Sequence, residues 1–107
     1  MGSGPKGIAF DGANIWVANQ SSNTLTELRA TDGHPLGTFP MGNGPSGLAF
    51  DGAYMWVPNI NDNTVSKVAS TGAIINTYTF GNRPNNVAFD GASIWVTNSS
   101  SNTVSKK

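Results

Sequence analysis

Cysteine is absent from this chain, which excludes disulfides, a thiol nucleophile and thiolate metal sites together. That absence fits either side of a membrane, so no compartment is assigned from it. Charge is scarce as well. Six basic and six acidic residues cancel, and charged side chains make up 11% of the 107 residues. A dedicated nucleic-acid or membrane-surface binder carries a strongly basic face, so neither partner is expected. No apolar run approaches the ~20 residues that span a bilayer. The opening MGSGPKGIAF lacks the hydrophobic core of a signal peptide. Helix is excluded too: no 3.6-residue stripe lasts three turns, and Gly and Pro break every window.

What is present is a repeat. Gly7 to Thr24, GIAFDGANIWVANQSSNT, returns as GLAFDGAYMWVPNINDNT from Gly47 to Thr64. It returns again as NVAFDGASIWVTNSSSNT from Asn86 to Thr103. Phe10, Phe50 and Phe89 keep step, as do Asp11, Asp51 and Asp90, Trp16, Trp56 and Trp95, and Asn19, Asn59 and Asn98. Their spacing is 40 and then 39 residues. A period of that length with an aromatic signature points to propeller blades or a solenoid. The opening decapeptide nearly matches Met41 to Phe50, MGNGPSGLAF, and reads as the start of a repeat rather than a tag.

Within a repeat the punctuation is that of short antiparallel strands. Gly7 to Phe10 reads as a first strand, with Asp-Gly as a tight hairpin turn of the primed type. Ile15 to Ala18, Thr24 to Arg29 and Leu36 to Met41 read as the second, third and fourth. The second repeat matches, with Ile74 to Phe80 as its fourth strand. The runs Ile15-Trp16-Val17, Met55-Trp56-Val57 and Ile94-Trp95-Val96 are continuously apolar, which requires cover on both faces of the sheet. Blades stacked between neighbours supply that cover, and four strands per ~40 residues fits them.

The pattern G-P-x-G-[IL]-A-F-D-G-A-x-[IM]-W-V-x-N-x-x-x-N-T-[LV] resembles bacterial YVTN-type and NHL-type β-propeller repeats, and the repeats of the virginiamycin B lyase family. The resemblance implies an all-β fold of four-stranded antiparallel blades. It also implies a scaffold that serves many roles. Enzymes of the lyase family are expected to use histidine and acidic groups with a divalent metal at the ring's mouth. The match does not extend to that set, since His34 is the one histidine and no Glu-x-His occurs. No catalytic residue, metal site or cofactor is therefore expected, and the chain is expected not to be an enzyme.

The expected organisation is one propeller segment over 1–107: blade one at 4–43, blade two at 44–82 and a partial blade three at 83–107. That is an arc of about two and three-quarter blades, whereas closed propellers have 4–8. An open arc leaves an apolar sheet face at each end larger than soluble monomers usually expose. Either the chain is a piece of a longer propeller, or copies close a ring. Two copies make six blades, and a two-fold homodimer is the expectation; Lys106 and Lys107 at the last strand then discourage runaway edge pairing.

Residues shared by every repeat read as scaffold. Asp11, Asp51 and Asp90 suit turns, where Gly supplies positive φ. Trp16, Trp56 and Trp95, with Phe10, Phe50 and Phe89, suit the core between blades. The Asn-rich loops between second and third strands, and the loops entering each blade, fall on one face. Positions there that differ between repeats are the candidate ligand contacts: Lys6, Ser46 and Asn85 as one set, Arg83 where Gly4 and Gly44 stand, and Gln20 against Asn61 and Asp62. Neutral amides and hydroxyls suit a carbohydrate or small ligand. The expected role is a non-enzymatic, self-assembling propeller module that offers this polar loop face. The alternatives are an inactive remnant of a metal-dependent virginiamycin B lyase-like enzyme and a purely structural repeat protein.

Overall fold

A computed structural model of the chain describes residues 4–79 and 81–107. Eleven strands and no helix run through them. The first sheet holds β1 (Pro5–Phe10), β2 (Asn14–Asn19), β3 (Thr24–Arg29) and β4 (Pro35–Pro40). The second holds β5 (Ala49–Phe50), β6 (Met55–Asn59), β7 (Thr64–Val68) and β8 (Ile74–Thr79). The third holds β9 (Pro84–Phe89), β10 (Ile94–Asn98) and β11 (Thr103–Lys106). In every sheet, hydrogen-bonded neighbours are consecutive in the chain, and all pairs are antiparallel. These are partial propeller blades, as the repeat predicts. Of the expected elements, the end of the fourth strand at Phe80 and the repeat's opening at residues 1–3 lie outside the described residues.

Alternation along each strand divides its side chains between two neighbours. In β2, Trp16 and Ala18 face the second sheet, where Leu48, Met55, Val57 and Val68 meet them with Leu25 in one core. In β6, Trp56 faces onward with Ala49 and Val65, and packs on Val87, Ile94 and Val96 of the third sheet. β6 is therefore apolar on both faces because it has a blade on both sides, whereas β2 and β10 each have one neighbouring blade among the described residues. Near the inner strands the approach is closest. A Cβ placed on Gly7 would lie 2.8 Å from Gly47 Cα, so backbone meets backbone there.

Two local features differ from the expectation. The first hairpin is not a two-residue Asp-Gly turn. Phe10 pairs with Ile15, so four residues form the loop, and Asp11 N–H donates to Asn14 O at 3.0 Å. Gly12 takes φ +96 while Asp11 keeps an ordinary negative φ. Asp11 is free to stay outside the turn's centre because its carboxylate holds the loop from the flank. The second difference is β5, which shrinks to two residues. Pro58 stands where Ala18 stands in the first sheet, and proline has no N–H for the inner strand to accept. Its carbonyl still accepts from Ser46 N–H at 2.9 Å, and Pro45 bridges Asn59. The strand path continues without a regular ladder.

Candidate functional site

Each Asp-Gly corner is a small polar device built the same way three times. Asp11 Oδ1 accepts the backbone N–H of Ala13 and Asn14, at 2.9 and 2.6 Å. Its Oδ2 accepts the indole Nε1–H of Trp16 at 2.7 Å. Asp51 does the same for Ala53, Tyr54 and Trp56, and Asp90 for Ala92, Ser93 and Trp95. The expected turn role of these aspartates is thus joined to the tryptophan role. Burial pushes the Asp11 carboxyl upward, but donors from Asn14, Trp16 and Ala13 outweigh it and leave it below the usual range. In exposed Asp90 the Trp95 indole, followed by the Ser93 and Ala92 N–H groups, lowers the carboxyl to about 2. The five-residue spacing from Asp to Trp is the same in every repeat, but spacing alone does not give the direction of the indole.

The opposite end of the blades carries the loops in which ligand contacts are expected. Here the two loop sets are bonded to each other. Gln20 N–H donates to Gly4 O at 2.8 Å, Ile60 N–H to Gly44 O at 2.9 Å, and Ser99 N–H to Arg83 O at 3.0 Å. Asn23 and Asn63 take left-handed φ of 57°. Their side-chain carbonyls accept from the next blade, Asn23 from Gly44 N–H at 2.9 Å and Asn63 from Arg83 N–H at 2.8 Å. Asn102, with φ 55, holds the same shape at the open end of the arc. The buried amides of Asn19, Asn59 and Asn98 brace the β2–β3, β6–β7 and β10–β11 turns through hydroxyls, reaching Thr26, Ser66 and Ser105 at 2.8, 2.9 and 2.9 Å. His34 lies in the β3–β4 turn, at the Asp-corner end and away from these loops.

The candidate contacts separate on inspection. Arg83 and Asn61 meet on the rim between the second and third blades, while Asp62 turns to the loop entering its own blade. Arg83 Nη1 lies 3.5 Å from Asn61 Oδ1, and Asp62 accepts both the backbone and the side-chain N–H of Asn43 at 2.9 Å. Arg83 has φ 54, in the left-handed region that Gly4 and Gly44 occupy in the other repeats. Lys6, Gln20 and Asn85 lie at the same end of the blades, on β1, in the β2–β3 turn and on β9. Among the described residues no side-chain bond joins them to the rim. Ser46 is a correction. It is 8% exposed, and its hydroxyl lies 2.9 Å from Asn85 O and 3.3 Å from Pro84 O. Burial takes it off the face and makes it a tie between blades two and three.

The aromatic set also divides by position in the arc. Trp16 and Trp56 are 1% and 5% exposed, whereas Trp95 is 39% exposed. Phe50 packs against the first core, while Phe10 is exposed on blade one's free face. Phe89 is exposed as well, at 37%. The free face of blade three holds a hollow of ≈ 150 Å³ lined by Asn86, Val87, Ala88, Trp95 and Thr97. A hollow of ≈ 270 Å³ on blade one is lined by Pro5, Lys6, Gly7, Ile8 and Val17. An open arc is expected to uncover a tryptophan of an end blade, Trp16 or Trp95; it is Trp95, because each tryptophan points toward the following blade and the third has none beside it among the described residues.

No protein-family model and no curated protein matches the chain. Solved structures do. Hydrazine synthase of Kuenenia stuttgartiensis superposes with a TM-score of 0.82 and 26% identity, over 89% of this chain and 29% of that one. A streptogramin B lyase gives 0.75 and 18%, over 98% of this chain and 40% of that one. The virginiamycin B lyase of Staphylococcus aureus gives 0.76 and 18%, over 96% and 40%. The chain spans less than half the length of each. What these likenesses show is the fold: an all-β arc of partial β-propeller blades.

Proposed function

We propose that the chain is a non-enzymatic propeller module that assembles through its two free blade faces and offers its loop end to a partner or small neutral ligand. The observation that carries this reading is the pair of apolar ends. Ile8, Phe10, Trp95 and Val104 are 70%, 55%, 39% and 60% exposed. They occupy the positions at which the inner blades pack on one another. A second copy related by a two-fold axis covers both ends at once and makes six blades, within the usual range. The non-enzymatic part draws support from the acidic residues. All six are engaged in local bonds: three at the Asp-Trp corners, Asp32 with Arg29, Asp62 with Asn43 and Glu27 with Asn14.

Native mass spectrometry of the whole chain tests the assembly. A dominant species of twice 11.1 kDa is the expected result. A folded monomer at micromolar concentration sinks the proposal. A second reading has one observation in its favour, the greater length of every solved structure named above. There the free faces pack on further blades of the same polypeptide, and the separate chain gives polydisperse aggregates rather than a discrete dimer.

A further inference from the structure

Asn43 is the one asparagine in the chain that a glycine follows. It stands in the loop that joins blade one to blade two, well inside the chain. Its backbone and side-chain polar groups are all engaged. The backbone N–H and the side-chain Nδ2–H both donate to the Asp62 carboxylate at 2.9 Å. Its Oδ1 accepts from Asn23 Nδ2 at 3.2 Å, and its backbone O from Asn61 N–H at 3.1 Å. The Gly44 N–H beside it donates to Asn23 Oδ1 at 2.9 Å. Glycine is required at 44, where φ is +70 and a Cβ would lie 2.7 Å from Asn61 Nδ2 and 2.9 Å from Ile60 Cγ2. In blade three the matching pair is Asn82-Arg83. There Asn82 N–H donates to the Ser101 hydroxyl at 3.3 Å rather than to a carboxylate.

We propose that Asn43 is a deamidation site, latched by Asn23, whose product turns the tie to Asp62 into a pair of like charges. In the reaction the Gly44 nitrogen loses its proton and bonds Asn43 Cγ. The Cγ–Nδ2 bond breaks, and ammonia leaves with that proton. Water then opens the cyclic imide at either carbonyl and returns a proton to the nitrogen, giving aspartate or isoaspartate at 43. Water is the only co-reactant. No side chain shields the Gly44 nitrogen, whereas that of Arg83 crowds its own. Asn23 holds both parties to the step, the nucleophile through Oδ1 and the amide through Nδ2, so ring closure requires that it let go. The product cannot rebuild the latch. A carboxylate at 43 has no N–H for Asp62 Oδ1, and like charges at hydrogen-bonding distance repel. Isoaspartate also lengthens the main chain by one carbon. The change runs one way and loosens the junction of the first two blades.

Peptide mapping by mass spectrometry tests this on the full chain, held at neutral pH and body temperature. Asn43 should gain the mass of an amide-to-acid change while Asn82 does not. In urea, where the latch is released, Asn43 should react faster by about tenfold or more. Asn23→Gly keeps the left-handed backbone at 23 and removes both of the latch's bonds. It should speed the reaction by about tenfold in a chain still folded by circular dichroism. Asn43→Asp reproduces the product: its urea midpoint should fall, and adding Asp62→Asn should recover most of the loss. An unreacted Asn43, modification of Asn82 at the same rate, equal rates with and without urea, or an Asn43→Asp chain as stable as the parent would each overturn the proposal.

Discussion

Three aspartates at one repeated position do three jobs each: they accept two turn amides, hold an indole and stay charged. A group whose folded pKa is depressed adds stability above its unfolded value, and that stability is lost as pH falls through the folded value. For Asp90 the ordinary value of 3.8 falls to about 2. Its contribution should therefore be complete above about pH 4 and vanish toward pH 2. An acid titration watched by the Trp95 indole proton in NMR should show one transition near the lower value; a transition near the ordinary carboxylate value would refute the Asp-Trp bond as its cause. Residue roles of this kind were readable in advance as turn chemistry. The bond from turn to tryptophan was not, because it needs the side chain's direction and not only its spacing. Ser46 shows the same limit. Variation between repeats marked it as a surface contact, whereas the blade behind it turned that position inward.

At the scale of strands and sheets, apolar runs without alternation announced that both faces are covered, and the packing bears this out in β6, the one central strand here with a blade on each side. The inner strands were harder to read. Gly7 and Gly47 look like ordinary strand-weakening glycines, yet backbone contact between neighbouring blades requires them. Gly7→Ala should accordingly lower stability by about 1–3 kcal/mol, as overpacking does. Urea unfolding measures it, and an unchanged midpoint would show that the blades can part slightly at no cost. Pro58 explains why β5 falls short of the predicted strand. The hydrophobic pattern there is intact, but one missing N–H interrupts the ladder.

For the whole molecule, the repeat count disclosed an arc, and the exposed ends are where that arithmetic becomes surface. Glycine at position 7 and glycine at position 47 line the two internal junctions, and Asn86 takes the matching place on the free face of blade three. At a copy-to-copy junction of the same geometry, the Asn86 Cβ would press on the incoming inner strand. Asn86→Gly should therefore tighten the proposed dimer by roughly tenfold. Sedimentation across a concentration series reads this directly, and weaker association of the variant would argue that Asn86 bonds the partner instead.

Strand order has one more consequence, and it concerns synthesis. Every paired strand follows its partner directly in the chain, and the asparagine ties between blades span 20 or 21 residues. A ribosome adding about 5–20 residues per second makes one blade's length in several seconds. Hairpins form in about 1–10 μs. Each sheet thus has all its partners before the next is translated, and the chain can acquire its structure in the order in which it is made.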